Sequence, residues 1–425
     1  MAQQPILAKP EQLERERCAL RLYAQASLQT ELERAKSLFA GSPLAATESG
    51  RSTLDAAVEA LGFQAALYAA NHDTVVPFIL WGTNAAHDWM GLEVPGSGYG
   101  LDAPDNVYRH ATIDGAARYR ITGTVADVGP AQQTFVVYRT IPGVTQTMNA
   151  EGHMDELAGI KSEAISLDPD GSFTITIDGD PAGGRPNHLQ VPADEHGLHV
   201  VVRDSLADWS LELPVDLAIE RLDPPAGYKR PSEEAMARHA GEILSSYAPF
   251  WLNWYETYVH AKPLNEVPQP WRRVQGWGMT QQGCFALGPD EVWLVTVDPL
   301  DARFFDFQIS DPWTRAVEYV DRTGSFNASQ AERNADGTIT LVAGPSDPGV
   351  HNWLDTAGLT AGTFQVRWQS LPGDVTADAA VRDARVVRMD DLGPLLPDGT
   401  RFVTPEERRR QQQDRATTYR RRLGT

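Results

Sequence analysis

Two long blocks of this 425-residue chain consist of short runs of β-branched and aromatic residues, separated by turn-forming residues. Residues 172–177 are a clear example, because apolar and polar side chains alternate strictly after the turn at residues 168–171. Alternation with a period of two indicates strands that bury one face. Helical patterns lie before, between and after the blocks and do not alternate with single strands, which excludes a doubly wound sheet. The sequence therefore predicts an α+β fold with two antiparallel β-sandwich, jelly-roll-like blocks.

Helical patterns frame these blocks. Residues 11–38 predict a first helix, and a second is predicted to begin at Ser52, where Ser52 and Asp55 resemble a capping box. A central helix with an aromatic stripe follows, in which Pro249 is expected to introduce a kink or a break. The predicted organisation is a helical N-terminal segment (1–73), a first β-sandwich block (74–222), a linker with the aromatic helix (223–262), a second β-sandwich block (263–400) and an Arg-rich C-terminal helix (401–425).

Charge restricts the partners that the chain can have. The formal net charge is −20, and a surface this acidic repels phosphate backbones, so we expect no nucleic-acid partner. The segment from Glu406 to Thr425 is the exception, since it contains seven arginines and only three acidic residues. This basic helix, which begins at a predicted capping box at Thr404, is expected to dock on an acidic face of its own chain or of a second subunit, or to be solvated.

Compartment and metal content follow from a few residue types. Only two cysteines are present, Cys18 and Cys284, and they are far apart, which excludes a disulfide framework and a zinc ribbon. The N-terminus lacks a signal-peptide pattern, and no run of about 20 apolar residues is present, so the prediction is a cytoplasmic protein without a membrane partner. His196 and His199 have the chemistry to bind zinc, but a turn is predicted between them. We therefore predict no metal site and no cofactor.

One stretch of the second block resembles a known family. It contains Phe304-Phe305-Asp306-Phe307-Gln308, Asp311-Pro312-Trp313 and, most specifically, the run Asn352-Trp353-Leu354-Asp355-Thr356-Ala357-Gly358 after an Asp-Pro-Gly turn. This pattern resembles the bacterial family known as domain of unknown function 1214. Residues 102–108 resemble a motif of a companion domain, domain of unknown function 1254, with Asp102-Ala103 where an Asn is expected. The resemblance implies paired β-sandwich or jelly-roll domains with packed helices, and it supplies no activity and no catalytic residues to carry over.

Two polar–aromatic clusters are the candidate sites. Asn106, Tyr108 and His110 alternate into a strand and therefore share one face, which either lines a cleft or faces solvent. The second cluster, Asn352, Trp353 and Asp355, follows a Pro-Gly turn, where such side chains either bind a ligand or hold the turn. The predicted ligand-binding residues are Trp81, Asn106, Tyr108, Arg203, Asn352 and Trp353, and the predicted catalytic residues are His110, Asp105 and Asp355.

Three functions remain open from the sequence. The first is binding of a small carbohydrate-like or aromatic compound in a cleft between the β blocks, because Trp offers a flat apolar face beside directional polar groups. The second is a metal-independent hydrolase or lyase in which His110 works with Asp105 or Asp355 as an acid–base pair. The third is a structural subunit of a homo-oligomer that associates through the C-terminal helix.

Overall fold

The computed structural model describes residues 6–144, 155–273, 277–373 and 375–423 and shows an α+β protein. Within these ranges, no helix combines the length and the apolar character needed to cross a lipid bilayer. The α-helices are α1 (Pro10–Tyr23), α2 (Ala26–Ala40), α3 (Glu48–Ala70), α4 (Glu233–Trp254) and α5 (Pro405–Arg420).

The helix boundaries differ from the predicted ones at the N-terminus. The predicted helix over residues 11–38 is two helices, because the chain turns at Ala24 and Gln25 and starts again as α2. The predicted start at Ser52 is wrong by one turn, since the hydroxyl of Thr47 accepts from the backbone N–H of Gly50 and caps α3 there. Pro249 does not divide α4, which runs to Trp254 and continues into a π-helical turn, Tyr255–Val259.

Twenty strands lie within the described ranges and form the β part. The first block, predicted to begin at residue 74, has its first strand at Leu80–Trp81. In the first block the strands are β1 (Leu80–Trp81), β2 (His87–Trp89), β3 (Leu92–Val94), β4 (Asn106–Ile113), β5 (Tyr119–Thr124), β6 (Gln132–Tyr138), β7 (Glu156–Lys161), β8 (Ser172–Asp178), β9 (His188–Gln190), β10 (Leu198–Ser205) and β11 (Asp216–Arg221). In the second block they are β12 (Trp271–Arg272), β13 (Gly278–Ala286), β14 (Glu291–Val297), β15 (Phe304–Ser310), β16 (Ser325–Asn327), β17 (Ile339–Gly344), β18 (Trp353–Asp355), β19 (Ala361–Gln369) and β20 (Val381–Arg388).

Each block is a pair of sheets packed on a shared apolar core. In the first block, a five-stranded sheet of order β1-β4-β10-β6-β7 covers a four-stranded sheet of order β11-β5-β8-β9. In the second block, a five-stranded sheet of order β12-β13-β19-β15-β16 packs on a four-stranded sheet of order β20-β14-β17-β18. Strand pairs are antiparallel except β8 with β9 and β17 with β18, which are parallel. The jelly-roll assignment itself stays a prediction.

The two blocks repeat one topology. If the small hairpin β2–β3 is left out and the nine strands of each block are numbered from one to nine, both five-stranded sheets have the order 1-2-8-4-5. Both four-stranded sheets have the order 9-3-6-7, and the sixth and seventh strands form the parallel pair in each. Nine strands can be ordered in very many ways, so this agreement indicates that the chain contains two copies of one structural unit.

The outer faces of the two five-stranded sheets approach each other. The hydroxyl of Ser205, at the end of β10, donates to the side-chain oxygen of Gln369 at the end of β19, at 2.8 Å. The amide of Asn327 donates to the carboxylate of Asp105 at 2.7 Å, again between blocks. Helices α1 to α4 pack together as a separate helical core beside the sheets. The blocks and helices are therefore joined by buried contacts.

The Arg-rich helix α5 lies on its own chain. Arg415 is buried and donates to the backbone oxygens of Tyr319 and Ser325, at 2.7 and 3.0 Å, with its guanidinium 4.4 Å from the ring of Trp209. The predicted capping box at Thr404 is confirmed, with both reciprocal hydrogen bonds present. Homo-oligomerisation through this helix stays a prediction. Arg409, Arg410 and Arg420 of this helix are exposed, as is Arg421 directly after it.

Candidate functional site

A cavity of about 180 Å³ lies where the five-stranded sheets of the two blocks face each other. Side chains along a strand point alternately to its two faces, and this alternation determines which of them line the cavity. In β10 the side chains of Val200 and Val202 point into the sandwich core, and Arg203 points outward into the cavity. The same alternation in β19 buries Val366 in the core and turns Arg367 outward. The polar residues that line the cavity include Thr83, Asp102, His110, Glu156, Arg203, Arg273, Thr280, Gln282, Gln365 and Arg367.

Aromatic side chains close the cavity on the helical side. Trp251, Trp254 and Tyr258 lie on one face of α4 and the π-helical turn that follows it, and Tyr99 packs edge-on against Trp251 with ring centroids 5.0 Å apart. Trp254 packs edge-on against Trp251, at 5.4 Å. The indole N–H groups of Trp251 and Trp254 are buried and have no hydrogen-bond partner in the part of the chain that the structure describes. The wall is thus apolar with two unused donors.

Three arginines reach the cavity, and they differ in how their N–H groups are used. Arg367 forms an ion pair with Asp306 at 2.8 Å and also donates to Gln308 and to the backbone oxygen of Leu101. Its donors are therefore largely occupied by its own block and by the loop before β4. Burial raises the pKa of Asp306 to about 7, although Arg367 opposes this shift.

Arg203 and Arg273 are less fully used. Arg203 donates to the hydroxyl of Tyr138 at 3.2 Å through one nitrogen, while its other terminal nitrogen is buried without a partner among the described residues. The guanidinium groups of Arg203 and Arg273 lie 5.0 and 4.2 Å from the ring of Trp277. Neither arginine forms an ion pair within the described ranges. Burial, followed by the charges of Arg203 and Arg367, lowers the pKa of Arg273 to about 10.

His110 lies at the inner end of the cavity in a hydrogen-bonded chain. One ring nitrogen is 3.1 Å from the hydroxyl of Thr83, and the other is 3.1 Å from a ring nitrogen of His199. Burial holds the pKa of His110 well below its ordinary value, and electrostatic repulsion from His199 and Arg203 lowers this pKa further. The ring is therefore neutral at physiological pH, and both of its nitrogens already have partners.

Three of the sequence-predicted site residues line this cavity: Tyr108, His110 and Arg203. Asn106 lies beside it, and its amide donates to the hydroxyl of Tyr108 at 3.1 Å, in agreement with the predicted shared face. Asp105 accepts from Asn327 in the interface between the blocks. Trp81 packs in the helical core against Trp89, with ring centroids 5.3 Å apart.

The cluster at residues 352–355 lies elsewhere in the second block. Asn352 donates to the backbone oxygens of Glu332 and Thr340, at 2.8 and 3.0 Å, and the indole of Trp353 donates to the backbone oxygen of Gly344 at 3.0 Å. Asp355 accepts from Arg322 at 2.9 Å. These contacts hold turns and neighbouring strands, which is one of the two roles expected for the cluster, and they do not bring Asp355 together with His110.

The two candidate zinc-binding imidazoles do not converge. His196 is exposed and lies 3.0 Å from the carboxylate of Asp114, whereas His199 is buried against His110. In the described part of the chain, no group of three or more His, Cys, Asp or Glu side chains is arranged to hold a metal ion.

Sequence reasoning missed Arg273, Arg367 and the helical wall of the cavity. Trp251 and Trp254 stood out as an aromatic stripe, which is more often part of a core. For Arg367 a local signal exists, because polar Gln365 and Arg367 alternate with apolar residues in a strand whose two faces are both buried. No local signal indicates that these side chains meet those of the first block.

Fold and cavity define a class of protein: an α+β molecule in which two similar β-sandwiches enclose a small aromatic- and arginine-lined cavity. The family model described as "Protein of unknown function (DUF1214)" matches residues 106–204 and 289–369. These segments lie in the first and the second block, so the resemblance predicted for the second block is found in both. Nothing supports the companion domain expected upstream.

A solved structure shows a similar fold. An uncharacterized protein from Burkholderia cenocepacia is 22% identical, with a TM-score of 0.68, over 88% of this chain and 99% of that one. A protein from Vibrio parahaemolyticus is 11% identical, with a TM-score of 0.38, over 67% of this chain and 89% of that one. Among curated proteins, none matches this chain.

Proposed function

We propose that the protein binds a small aromatic compound in the cavity between its two β-sandwiches. The observation that carries this proposal is the wall formed by Trp251, Trp254 and Tyr258 with Tyr99, in which two buried indole N–H groups have no partner among the described residues. Aromatic rings attract one another in edge-on arrangements, and such contacts contribute roughly 1 kcal/mol each. Buried donors without a partner favour a ligand that also carries an acceptor.

The size of the cavity favours a single ring. An engineered apolar cavity of roughly 150 Å³ accommodates benzene, and the volume here is about 180 Å³. Drug-sized ligands occupy sites of roughly 300 Å³ or more. The occupant that we propose is therefore a one-ring compound with a small substituent, rather than an oligosaccharide or a nucleotide.

The acid–base alternative has no specific observation in its favour. His110 is hydrogen-bonded at both ring nitrogens, and the residues that donate to Asp105 and Asp355, Asn327 and Arg322, do not line the cavity. A hydrolase or lyase built on these residues stays a prediction from the sequence. The cytoplasmic location likewise stays a prediction.

Ligand-observed NMR on the full-length protein tests the proposal with phenol, benzamide, benzoate and glucose as probes. We expect saturable binding of at least one aromatic probe and none of glucose. Trp254→Phe, which removes one indole N–H from the wall, should weaken this binding about five-fold, as expected for the loss of roughly 1 kcal/mol. Trp353→Phe is the matched control, because Trp353 lies in β18 and does not line the cavity. Absence of aromatic binding, or equal weakening by both variants, would overturn the proposal.

A further inference from the structure

Among the described residues, the charges that line the cavity are not balanced. Arg367 is paired with Asp306 within the second block. The remaining cationic groups are Arg203 and Arg273, whereas the remaining acidic groups are Glu156 and Asp102. Burial raises the pKa of Asp102 to about 7, so this carboxyl carries only part of a negative charge near neutral pH. The described lining of the cavity thus carries more positive than negative charge although the whole chain is acidic.

Burying two guanidinium groups close together is unfavourable without counter-charge. Both groups lie near the ring of Trp277, which offsets part of this cost through its π face. The pKa of Arg273 is lowered by burial and by the charges of Arg203 and Arg367, which places these cations within electrostatic reach of one another. An anion between Arg203 and Arg273 would remove the repulsion and use the free nitrogen of Arg203.

We propose that the ligand of this cavity is an aromatic acid, with its ring against Trp251 and Trp254 and its anionic group on Arg203 and Arg273. This inference rests on the proposed function and specifies its ligand class. A planar carboxylate suits a guanidinium fork because it accepts two parallel hydrogen bonds. The alternation of β10 fixes Arg203 in the sheet, and Arg273 follows β12 directly, so the two donors come from different blocks.

Benzoate and benzamide provide the direct test, because they have almost the same shape and differ in charge. Isothermal titration calorimetry at pH 7 on the full-length protein is expected to show benzoate binding at least ten-fold more tightly than benzamide. Arg203→Gln and Arg273→Gln should each reduce this preference to less than three-fold, because each removes a positive charge that binds the carboxylate of benzoate more strongly than the neutral amide of benzamide. Arg409→Gln, which changes an exposed arginine of α5, is the matched control and should keep the preference.

Neither Gln variant leaves a described acidic side chain without an ion-pair partner, so both are expected to fold, and the comparison of the two probes on the unchanged protein does not depend on them. Equal binding of benzoate and benzamide would overturn the anionic assignment and leave the proposed function standing. A preference that survives both Arg203→Gln and Arg273→Gln would also overturn it. If neither probe binds, the anionic assignment fails, and the proposed function fails with it only if phenol does not bind either.

Discussion

Asp102 shows at the residue scale how tightly the two blocks are joined. Its carboxylate accepts from the backbone N–H of Ala316 at 2.9 Å, and its backbone oxygen accepts from the amide of Gln308 at 2.8 Å. Both partners belong to the second block. Because burial outweighs these hydrogen bonds and the nearby charge of Arg315, the pKa of Asp102 rises from 3.8 to about 7.

This shift predicts a pH dependence of stability. A carboxyl group whose pKa is higher in the folded protein than in the unfolded chain stabilises the fold when protonated, and this contribution is lost as pH rises from about 4 to 7. Asp102 should therefore lower the free energy of unfolding by roughly 2 to 3 kcal/mol between pH 5 and pH 8. Urea unfolding at both pH values should show that Asp102→Asn reduces the pH-dependent loss by this amount.

Asp127→Asn is the matched control for this experiment, because Asp127 is exposed on the loop between β5 and β6. It should leave the difference between pH 5 and pH 8 unchanged. If Asp102→Asn kept the full pH-dependent loss of the unchanged protein, the raised pKa of Asp102 would be contradicted.

At the scale of elements, α5 is a brace across the two blocks. Arg415 binds backbone oxygens of the second block and stacks on Trp209 of the first, while Arg422, in the turn that follows α5, donates to the backbone oxygen of Pro104 at 3.0 Å. A helix that bonds to both blocks restrains their separation. Burial lowers the pKa of Arg415 to about 10, and the negative charge of Asp105 partly opposes this lowering.

Loss of Arg415 is expected to destabilise the fold. Arg415→Gln leaves the backbone oxygens of Tyr319 and Ser325 without their donor, and hydrogen bonds to charged groups contribute roughly 1.5 to 3 kcal/mol each. We expect a decrease of about 3 kcal/mol in the free energy of unfolding, measured by urea titration. Arg409→Gln, on the exposed side of the same helix, should change it by less than roughly 0.5 kcal/mol. Equal effects of the two variants would show that α5 does not brace the blocks.

The elements themselves were largely predictable, and their boundaries less so. The capping box at Thr404 is a local pattern and is present as predicted. The alternation of residues 172–177 correctly predicts β8. By contrast, both Thr47 and Ser52 are competent helix caps by residue type, and the choice of Thr47 depends on the turn Pro43–Ala46 that precedes α3. Local sequence contains no information on that choice.

At the scale of the whole molecule, the position of the cavity follows from the repetition of one structural unit in the two blocks. Each block presents the outer face of its five-stranded sheet, and the two faces meet with β10 and β19, the eighth strand of each unit, in contact through Ser205 and Gln369. A cavity between two such faces receives residues from both units and from the helix that connects them. Ligand sites occur preferentially at this kind of junction between structural units.

The cavity could be predicted only in part from the sequence. Tyr108, His110 and Arg203 were accessible because polar side chains on a strand face are a local signal. Their meeting with Arg273 and Arg367 depends on the strand order 1-2-8-4-5 in both blocks, which joins residues far apart in the chain. The cluster at Asn352 was selected for its loop position, and a loop of this composition also serves to hold a turn, as it does here.

A crystal structure with 4-bromobenzoate tests the central claim most directly, since the anomalous signal of bromine locates the ligand without reference to the protein model. We predict one strong bromine peak in the cavity beside Trp251 and Trp254, with the carboxylate within hydrogen-bond distance of Arg203 and Arg273. A cavity without a bromine peak in crystals soaked to saturation, or bromine peaks confined to the outer surface, would contradict the assignment of this cavity as the ligand site.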